Sequence, residues 1–322
     1  AVQRRAGRMT LAVLKAGLQS TLQGAARTGL RHMGVPWSGP ADPLSMALAN
    51  RLVGNPVGHV AIEITLGRFS ATAQQRLHLA LTGAEASATL DGAPAPFHTA
   101  LTIAPGQRLD IAAPARGMRT YLAAAGGFVG DEILGSTSTY LPAGFGGRDG
   151  RALKAGDTLD IGPSAAPGAS LPTPNDLRPY IGSSWSVRAT SGPEISVLDK
   201  PGRAALFEQS FTVGRLADRM GLRLEHPQLD PRSDGKMTSA AVFPGTVQCP
   251  ENGQPIIMLC DAQTTGGYPR IAQVALCDRH MLGQVRPGDR IRFLKRTPQE
   301  ATSDVKQKSA LLRAWMPDFS FT

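Results

Sequence analysis

Along most of the chain, apolar and polar residues alternate in runs of four to eight, and Gly or Pro closes most runs. A period of two suits strands that bury one face, and the closing residues suit turns. Strands are predicted at 77–82, 100–103, 108–111, 120–125, 158–161, 195–198, 254–259 and 290–294. Leu90-Asp91-Gly92 and Asn252-Gly253 stand between apolar runs and predict hairpins, because Asn, Asp and Gly tolerate left-handed backbone.

One short pattern recurs. Pro105-Gly106-Gln107-Arg108-Leu109-Asp110-Ile111, Ala155-Gly156-Asp157-Thr158-Leu159-Asp160-Ile161 and Pro287-Gly288-Asp289-Arg290-Ile291-Arg292-Phe293 each join a Gly turn to an alternating strand. Their uneven spacing excludes a solenoid and suits equivalent turns in related β-barrels.

Helical periodicity is scarce. Asp42-Pro43 places a capping side chain before a proline at the first helical position, and Leu44, Leu48 and Leu52 then recur every four residues. Residues 201–209 and 277–284 are two further short helix candidates. The pattern predicts a mainly β chain with a few helices, folded as two β-barrel-like subdomains.

Residues 162–175 are rich in Pro, Gly, Ala and Ser and read as a linker. This divides the chain into 9–161, a linker at 162–179, a second domain at 180–296 and a tail at 297–322. Trp315, Phe319 and Phe321 favour docking of that tail. Residues 1–8 read as an extension before Met9.

Composition narrows the class. At 42% hydrophobic over 322 residues, the chain can bury a sizeable core. No apolar run approaches the roughly 20 residues of a membrane-spanning helix, and the stretch 11–18 is too short and broken for a signal peptide. A cytoplasmic location is the default expectation.

The net charge of +9 invites a nucleic-acid reading, but its distribution argues against one. Residues 1–41 hold six basic residues and no acid, residues 42–278 hold 19 basic and 21 acidic, and residues 279–322 hold nine and four. The body is nearly neutral, and no aromatic residues interleave with the basic ones as a single-strand platform requires. Neither nucleic acid nor membrane is expected as a partner.

Cys249, Cys260 and Cys277 form no Cys-x-x-Cys pair, so neither a disulfide framework nor a zinc site is expected, and Cys260 reads as core filler. The chain shows no phosphate-binding G-x-x-x-x-G-K-[ST] loop, no G-x-S-x-G elbow, no H-E-x-x-H and no dinucleotide fingerprint. No metal ligand set is predicted.

Two stretches are distinctive. The first runs from Gly34-Val35-Pro36-Trp37-Ser38-Gly39-Pro40-Ala41-Asp42-Pro43 into Ala49-Asn50-Arg51-Leu52-Val53-Gly54-Asn55 and Ile62-Glu63. The second comprises Asp218-Arg219-Met220-Gly221, Val242-Phe243-Pro244-Gly245-Thr246-Val247-Gln248, Asn252-Gly253-Gln254-Pro255 and Gln263-Thr264-Thr265-Gly266-Gly267-Tyr268-Pro269. Between them stand Ala124-Ala125-Gly126-Gly127-Phe128 and Ala143-Gly144-Phe145-Gly146-Gly147.

Together these resemble the biotin-dependent carboxyltransferase family, which includes the second subunit of allophanate hydrolase, the C-type subunit of the bacterial ATP-dependent 5-oxoprolinase, KipA and a region of urea amidolyase. The resemblance runs from about Leu14 to Leu294. It implies that the C-terminal subdomain is cyclophilin-like. It also implies a KipI-like partner (the B-type 5-oxoprolinase subunit) and a small carboxylate, amide or urea-like substrate of the 5-oxoproline, urea or allophanate class. ATP or carboxybiotin would arrive as a ligand or on another subunit, since the chain has no Met-Lys-Met biotin-attachment motif. A homo-oligomer is a further expectation.

The chemistry of these residues is compatible. Carboxyl transfer needs cationic or N–H donors around a carboxylate and a base for the acceptor nitrogen. Gln263, Tyr268, Asp218 and Arg219 are the catalytic candidates. Thr264, Thr265, Gly266, Gly267, Gln23, Arg27, Ser38, Asp42 and Arg148 are the substrate-binding candidates. Gly266-Gly267 can offer consecutive N–H groups to an anion, and forked guanidinium donors suit a carboxylate.

Bland readings compete. Asp42 doubles as a helix cap, Gly266–Pro269 as a tight turn, and Asp218 and Arg219 as partners of each other or of Glu225. Glu63 is a base candidate or a solvent-facing strand residue, and Asn50 a packing hydrogen bond. Two positions depart from the resemblance, with Gly24 where relatives commonly carry Asp and Ala240-Ala241 where they often carry an acid. The departure supports an alternative in which the chain is a non-catalytic regulatory subunit of a KipI-like partner. Cyclophilin-like isomerase activity rests on barrel shape alone.

Overall fold

The computed structural model describes residues 9–164, 171–232 and 237–321. Residues 1–8 and 165–170, the predicted extension and the middle of the predicted linker, lie outside them. The chain divides into two compact units, Ala1–Ala26 with Pro43–Pro179 and Arg27–Asp42 with Tyr180–Thr322. The segment 27–42 therefore belongs with the C-terminal half, although in sequence it lies within the first predicted domain.

The first unit is built from two antiparallel sheets. One orders its strands Thr158–Asp160, Thr10–Ala16, Phe69–Ala73, Arg108–Ile111, Ala88–Leu90 and Ala93–Pro94; the other orders Gln19–Gln23, Ala61–Thr65, Arg119–Ala124, Leu77–Gly83 and Ala100–Ile103. Leu11, Val13, Leu22, Ile62, Ile64, Phe69, Leu79, Leu81 and Leu122 fill the core. Apolar side chains on alternate positions of the longer strands supply most of it.

Helix α1 (Pro43–Leu52) belongs to this unit. Its Met46, Ala49 and Leu52 pack with Ala61, Ala80, Tyr121 and Ala123, and small residues on the sheet let the helix approach closely. Asn50 donates to the His59 carbonyl at 2.8 Å and accepts from Asn55, which also donates to the Ala124 carbonyl. Asn50 is thus a packing hydrogen-bond residue.

The second unit contains a closed seven-stranded barrel, ordered Ser184–Ser191, Arg270–Val274, Thr246–Gln248, Ile256–Met258, Gly221–His226, Ser210–Ala217 and Arg290–Arg296. Ser184–Ser191 and Arg290–Arg296 close it as a parallel pair. Closure removes free edges. Trp185, Phe211, Phe293, Leu224, Ile257 and Ile271 fill its interior. The short strands Ala240–Ala241 and Thr265–Gly266 pair outside the barrel.

Helix α2 (Lys200–Glu208) starts at Asp199, whose carboxylate accepts from the Gly202 N–H. Helix α3 (Pro298–Arg313) carries a capping box in which Thr297 and Glu300 satisfy each other's backbone N–H groups. The predicted tail is thus largely a capped helix.

All three recurring turns have left-handed glycines, Gly106, Gly156 and Gly288, with φ of 80°, 89° and 87°. One predicted strand fails. Residues 195–198 form a 3₁₀ turn, Ile195–Val197, because Gly192 accepts from Ile195 and the preceding Pro193 has no N–H to offer a ladder.

Candidate active site

Most of the candidate residues gather in the second unit, on four segments. The segment 27–42 contributes Arg27, Arg31, Trp37, Ser38 and Asp42. The turn after Ser210–Ala217 contributes Asp218 and Arg219. The loop 242–248 contributes Phe243 and Gln248, and the run 260–270 contributes Asp261 and Gln263–Pro269. Gln23 and Arg148 lie in the first unit.

Arg219 is not a free clamp. It is 5% exposed and forms a two-pronged ion pair with Asp261, at 2.7 and 3.1 Å, and donates to the Gly39 carbonyl at 2.6 Å. Asp261, rather than Asp218 or Glu225, is the acid that faces it. The Asp261 N–H returns a bond to the Arg219 carbonyl, and Ser38 donates its N–H to the Cys260 carbonyl. This network ties the Trp37-Ser38-Gly39 stretch to the 219 and 261 positions. Burial lowers the pKa of Arg27, and the nearby Asp261 charge opposes that shift.

Ser38 is buried with a left-handed φ of 52°, and its Oγ has no hydrogen-bond partner among the described residues. A non-glycine residue in that region costs of order 1–3 kcal/mol. Asp42 accepts from Gln284 at 2.8 Å. Asp218 accepts the N–H groups of Met220 and Gly221, so its carboxylate shapes its own turn.

Asp218 and Gln263 line one cavity of about 390 Å³ together with Arg215, Arg223, Met220 and Met258. Its walls combine apolar side chains with two arginines, the Asp218 carboxylate held in its own turn, and one neutral amide. That set suits a small polar ligand with a negative end.

Thr265 and Gly266 pair with Ala241 and Ala240, and Met237 donates its N–H to the Gly267 carbonyl. Gly266 sits against Gln248, whose side chain a Cβ at 266 would approach to 2.6 Å. Gln248 donates to the Tyr268 carbonyl, while its buried Oε1 has no partner among the described residues. Tyr268 is 42% exposed.

Arg31 donates from Nη2 to the Val242 carbonyl and, at 3.1 Å, to the Gln263 carbonyl. Its guanidinium lies 5.5 Å from the Trp37 ring centre and 5.2 Å from that of Phe243. Burial lowers its pKa, and burial with the Arg31 charge lowers Arg279 to about 10. Arg31, Arg279, Asp261 and Gln248, which stand beside the candidate segments, were not among the candidates read from the sequence. Gln248 closes a quoted motif and Asp261 precedes the Gln263 run by two positions, so position alone offered a weak signal for both.

In the first unit, Gln23 is buried and donates to Thr21 and to the Thr139 carbonyl. Arg148 is half-exposed and lies 3.5 Å from Asp149. Glu63 is neither solvent-facing nor available as a base. It is 1% exposed, lies 3.2 Å from Arg119 and accepts from the Tyr121 hydroxyl at 2.8 Å.

Residues 33–295 match the carboxyltransferase domain, subdomain A and B, and the chain belongs to that family. It is 38% identical over 293 residues to the C-type 5-oxoprolinase subunit of Escherichia coli, covering 90% of this chain and 93% of that one. The corresponding 5-oxoprolinase subunit of Haemophilus influenzae is 36% identical, covering 90% and 92%. Urea amidolyase of Saccharomyces cerevisiae is 35% identical over 83% of this chain, but the match is 16% of that protein. In structure, the chain superposes on Kluyveromyces lactis urea amidolyase with a TM-score of 0.91 at 27% identity, covering 98% of this chain and 20% of that one.

Proposed function

We propose that the chain is the C-type subunit of a multi-subunit 5-oxoprolinase, acting with a KipI-like subunit on a small cyclic amide that carries a carboxylate. The observation that carries this reading is the match to the C-type 5-oxoprolinase subunit of Escherichia coli, which spans more than nine-tenths of that protein. The matched part of yeast urea amidolyase is a small fraction of a larger enzyme.

Within this reading, the chain's residues bind and orient. Gln263 offers an amide donor and acceptor beside the cavity, and Tyr268 offers a hydroxyl for proton movement. Arg219 holds the 27–42 segment in place through Asp261 and Gly39, so it is a positioning residue. Where ATP or carboxybiotin takes part, it supplies the activated phosphoryl or carboxyl group. The cavity's guanidinium groups and Gln263 fit an anionic, amide-bearing ligand better than an apolar one.

The test is reconstitution with the partner subunits, followed through 5-oxoproline-dependent ATP hydrolysis. Gln263→Ala with Tyr268→Phe should lower turnover at least tenfold while the assembly stays intact. Unchanged turnover would remove the site assignment. A second reading, a regulatory subunit without turnover, draws on Gly24 and Ala240-Ala241. Stable assembly with no turnover on 5-oxoproline, urea or allophanate would favour it.

A further inference from the structure

Among the described residues, the second unit contains a partly buried cation that no acid balances. This is Arg279, on the 3₁₀ segment Leu276–Gln284. Among the described residues no ion pair or hydrogen bond engages it, and its Nε is buried without a partner. The charge that acts on it is that of Arg31, whose Nη1 is also buried without a partner. Two buried arginines contrast with it. Arg219 faces Asp261 and Arg119 faces Glu63.

Both guanidinium groups flank the same loop. Arg31 holds the Val242 carbonyl and lies over the Phe243 ring. Arg279 packs against Gly245, where a Cβ would come 3.3 Å from its Nε. The loop between them is fixed. Phe243 and Thr246 exchange two hydrogen bonds, Gly245 donates to Met258 and accepts from Val274, and Gln273 donates to the Pro244 carbonyl. Through Nη2, Arg31 also holds the Gln263 carbonyl.

Two like charges in a partly desolvated, rigid setting repel and cost stability when nothing neutralises them. A planar oxyanion reverses that cost, because Arg31 keeps its Nη1 donors and Arg279 its guanidinium donors for a carboxylate. We infer that Arg31 and Arg279 form a binding site for the carboxylate-type group of a small ligand beside Gln263. Trp37 and Phe243 hold Arg31 by cation–π contact, so one half of the site is oriented before the ligand arrives. The choice of carboxylate rests on the reading under Proposed function. The anion site itself rests on the pair being unbalanced among the described residues.

Direct binding to the purified full chain tests this without partners or turnover, so its failure is distinguishable from failure of the enzymatic reading. Calorimetric titration would use 5-oxoproline and bicarbonate as carboxylate-type probes, 2-pyrrolidinone as the neutral ring and inorganic phosphate as a non-planar anion. We expect 5-oxoproline or bicarbonate to bind at least tenfold more tightly than 2-pyrrolidinone and phosphate. Arg279→Gln and Arg31→Gln should each weaken that binding tenfold or more. Binding of 5-oxoproline assigns the site to the organic carboxylate, and binding of bicarbonate alone assigns it to the one-carbon carboxyl group. Without ligand, Arg279→Gln should unfold at an unchanged or higher temperature. No binding of either probe, equal binding of 2-pyrrolidinone or phosphate, or affinity within twofold of wild type in both variants would overturn the inference.

Discussion

Each unit buries arginine, but in different company. In the first, Arg119 is held between strands, 3.2 Å from Glu63, both side chains being 1% exposed. In the second, Arg219 has Asp261, while the partly buried Arg279 has beside it the charge of Arg31. A desolvated cation with its own acid is a structural element. One whose nearest charge has the same sign is unfinished until an anion arrives. The contrast teaches that burial alone does not mark a functional arginine, and that the company it keeps does.

Removing an acid should have the largest effect on this comparison. Glu63→Gln strands the Arg119 charge inside the first unit and should cost about 3–5 kcal/mol in denaturant unfolding. Asp261→Asn should cost somewhat less, about 3 kcal/mol, because the Gly39 carbonyl still accepts from Arg219. If both variants unfold like Arg279→Gln, the distinction between paired and unpaired arginines is lost.

Acid should act on both units through a neutral histidine in each. Burial, then the Arg178 charge, lowers His98 to about 4. Burial, then the Lys308 charge, lowers His280 to about 3, with Asp278 opposing and Arg188 reinforcing the effect. A folded-state pKa below the unfolded value means stability is complete above about pH 6.5 and is lost as pH falls. The loss should run toward pH 4 for His98 and toward pH 3 for His280, at up to about 1.4 kcal/mol per pH unit for each group. Unfolding followed from pH 8 to pH 4 should show this slope, and His98→Gln and His280→Gln should each flatten it. A profile unchanged by both would show that the histidines titrate normally.

The smallest effect should come from the surface. Arg108 and Asp110 make a 2.7 Å pair with side chains 45% and 39% exposed. Arg108→Ala should change stability by no more than about 0.5 kcal/mol, and added salt should reduce even that. A larger loss would mean that pairing, rather than burial, sets the cost.

Much of the fold is readable in the sequence, because strands and turns are local. The runs at 100–103 and 108–111 are strands, and Asp91-Gly92 is left-handed at the tip of its hairpin, with φ of 49° and 85°. Residues 195–198 show the limit, since an apolar run after Gly-Pro satisfies the strand pattern and the turn equally. Of the candidate site, the motif segments are legible but their partners are not. Arg219 and Asp261 are 42 positions apart, and Arg31 and Gln263 are 232 apart. In the sequence Arg31 is one of six basic residues before the first acid, and its charge points toward surface rather than site.

The sequence by itself determined the strand and turn framework, the left-handed glycines and membership of the carboxyltransferase family, because these depend on residue type at short spacing. Tertiary structure alone decided that residues 27–42 join the C-terminal unit, that Glu63 and Asp261 neutralise buried arginines, and that Arg279 stands with Arg31 instead. The reason is physical. Charge, burial and hydrogen bonding act through space at a few ångströms, and chain folding brings distant residues to that range without leaving a periodic trace in the sequence.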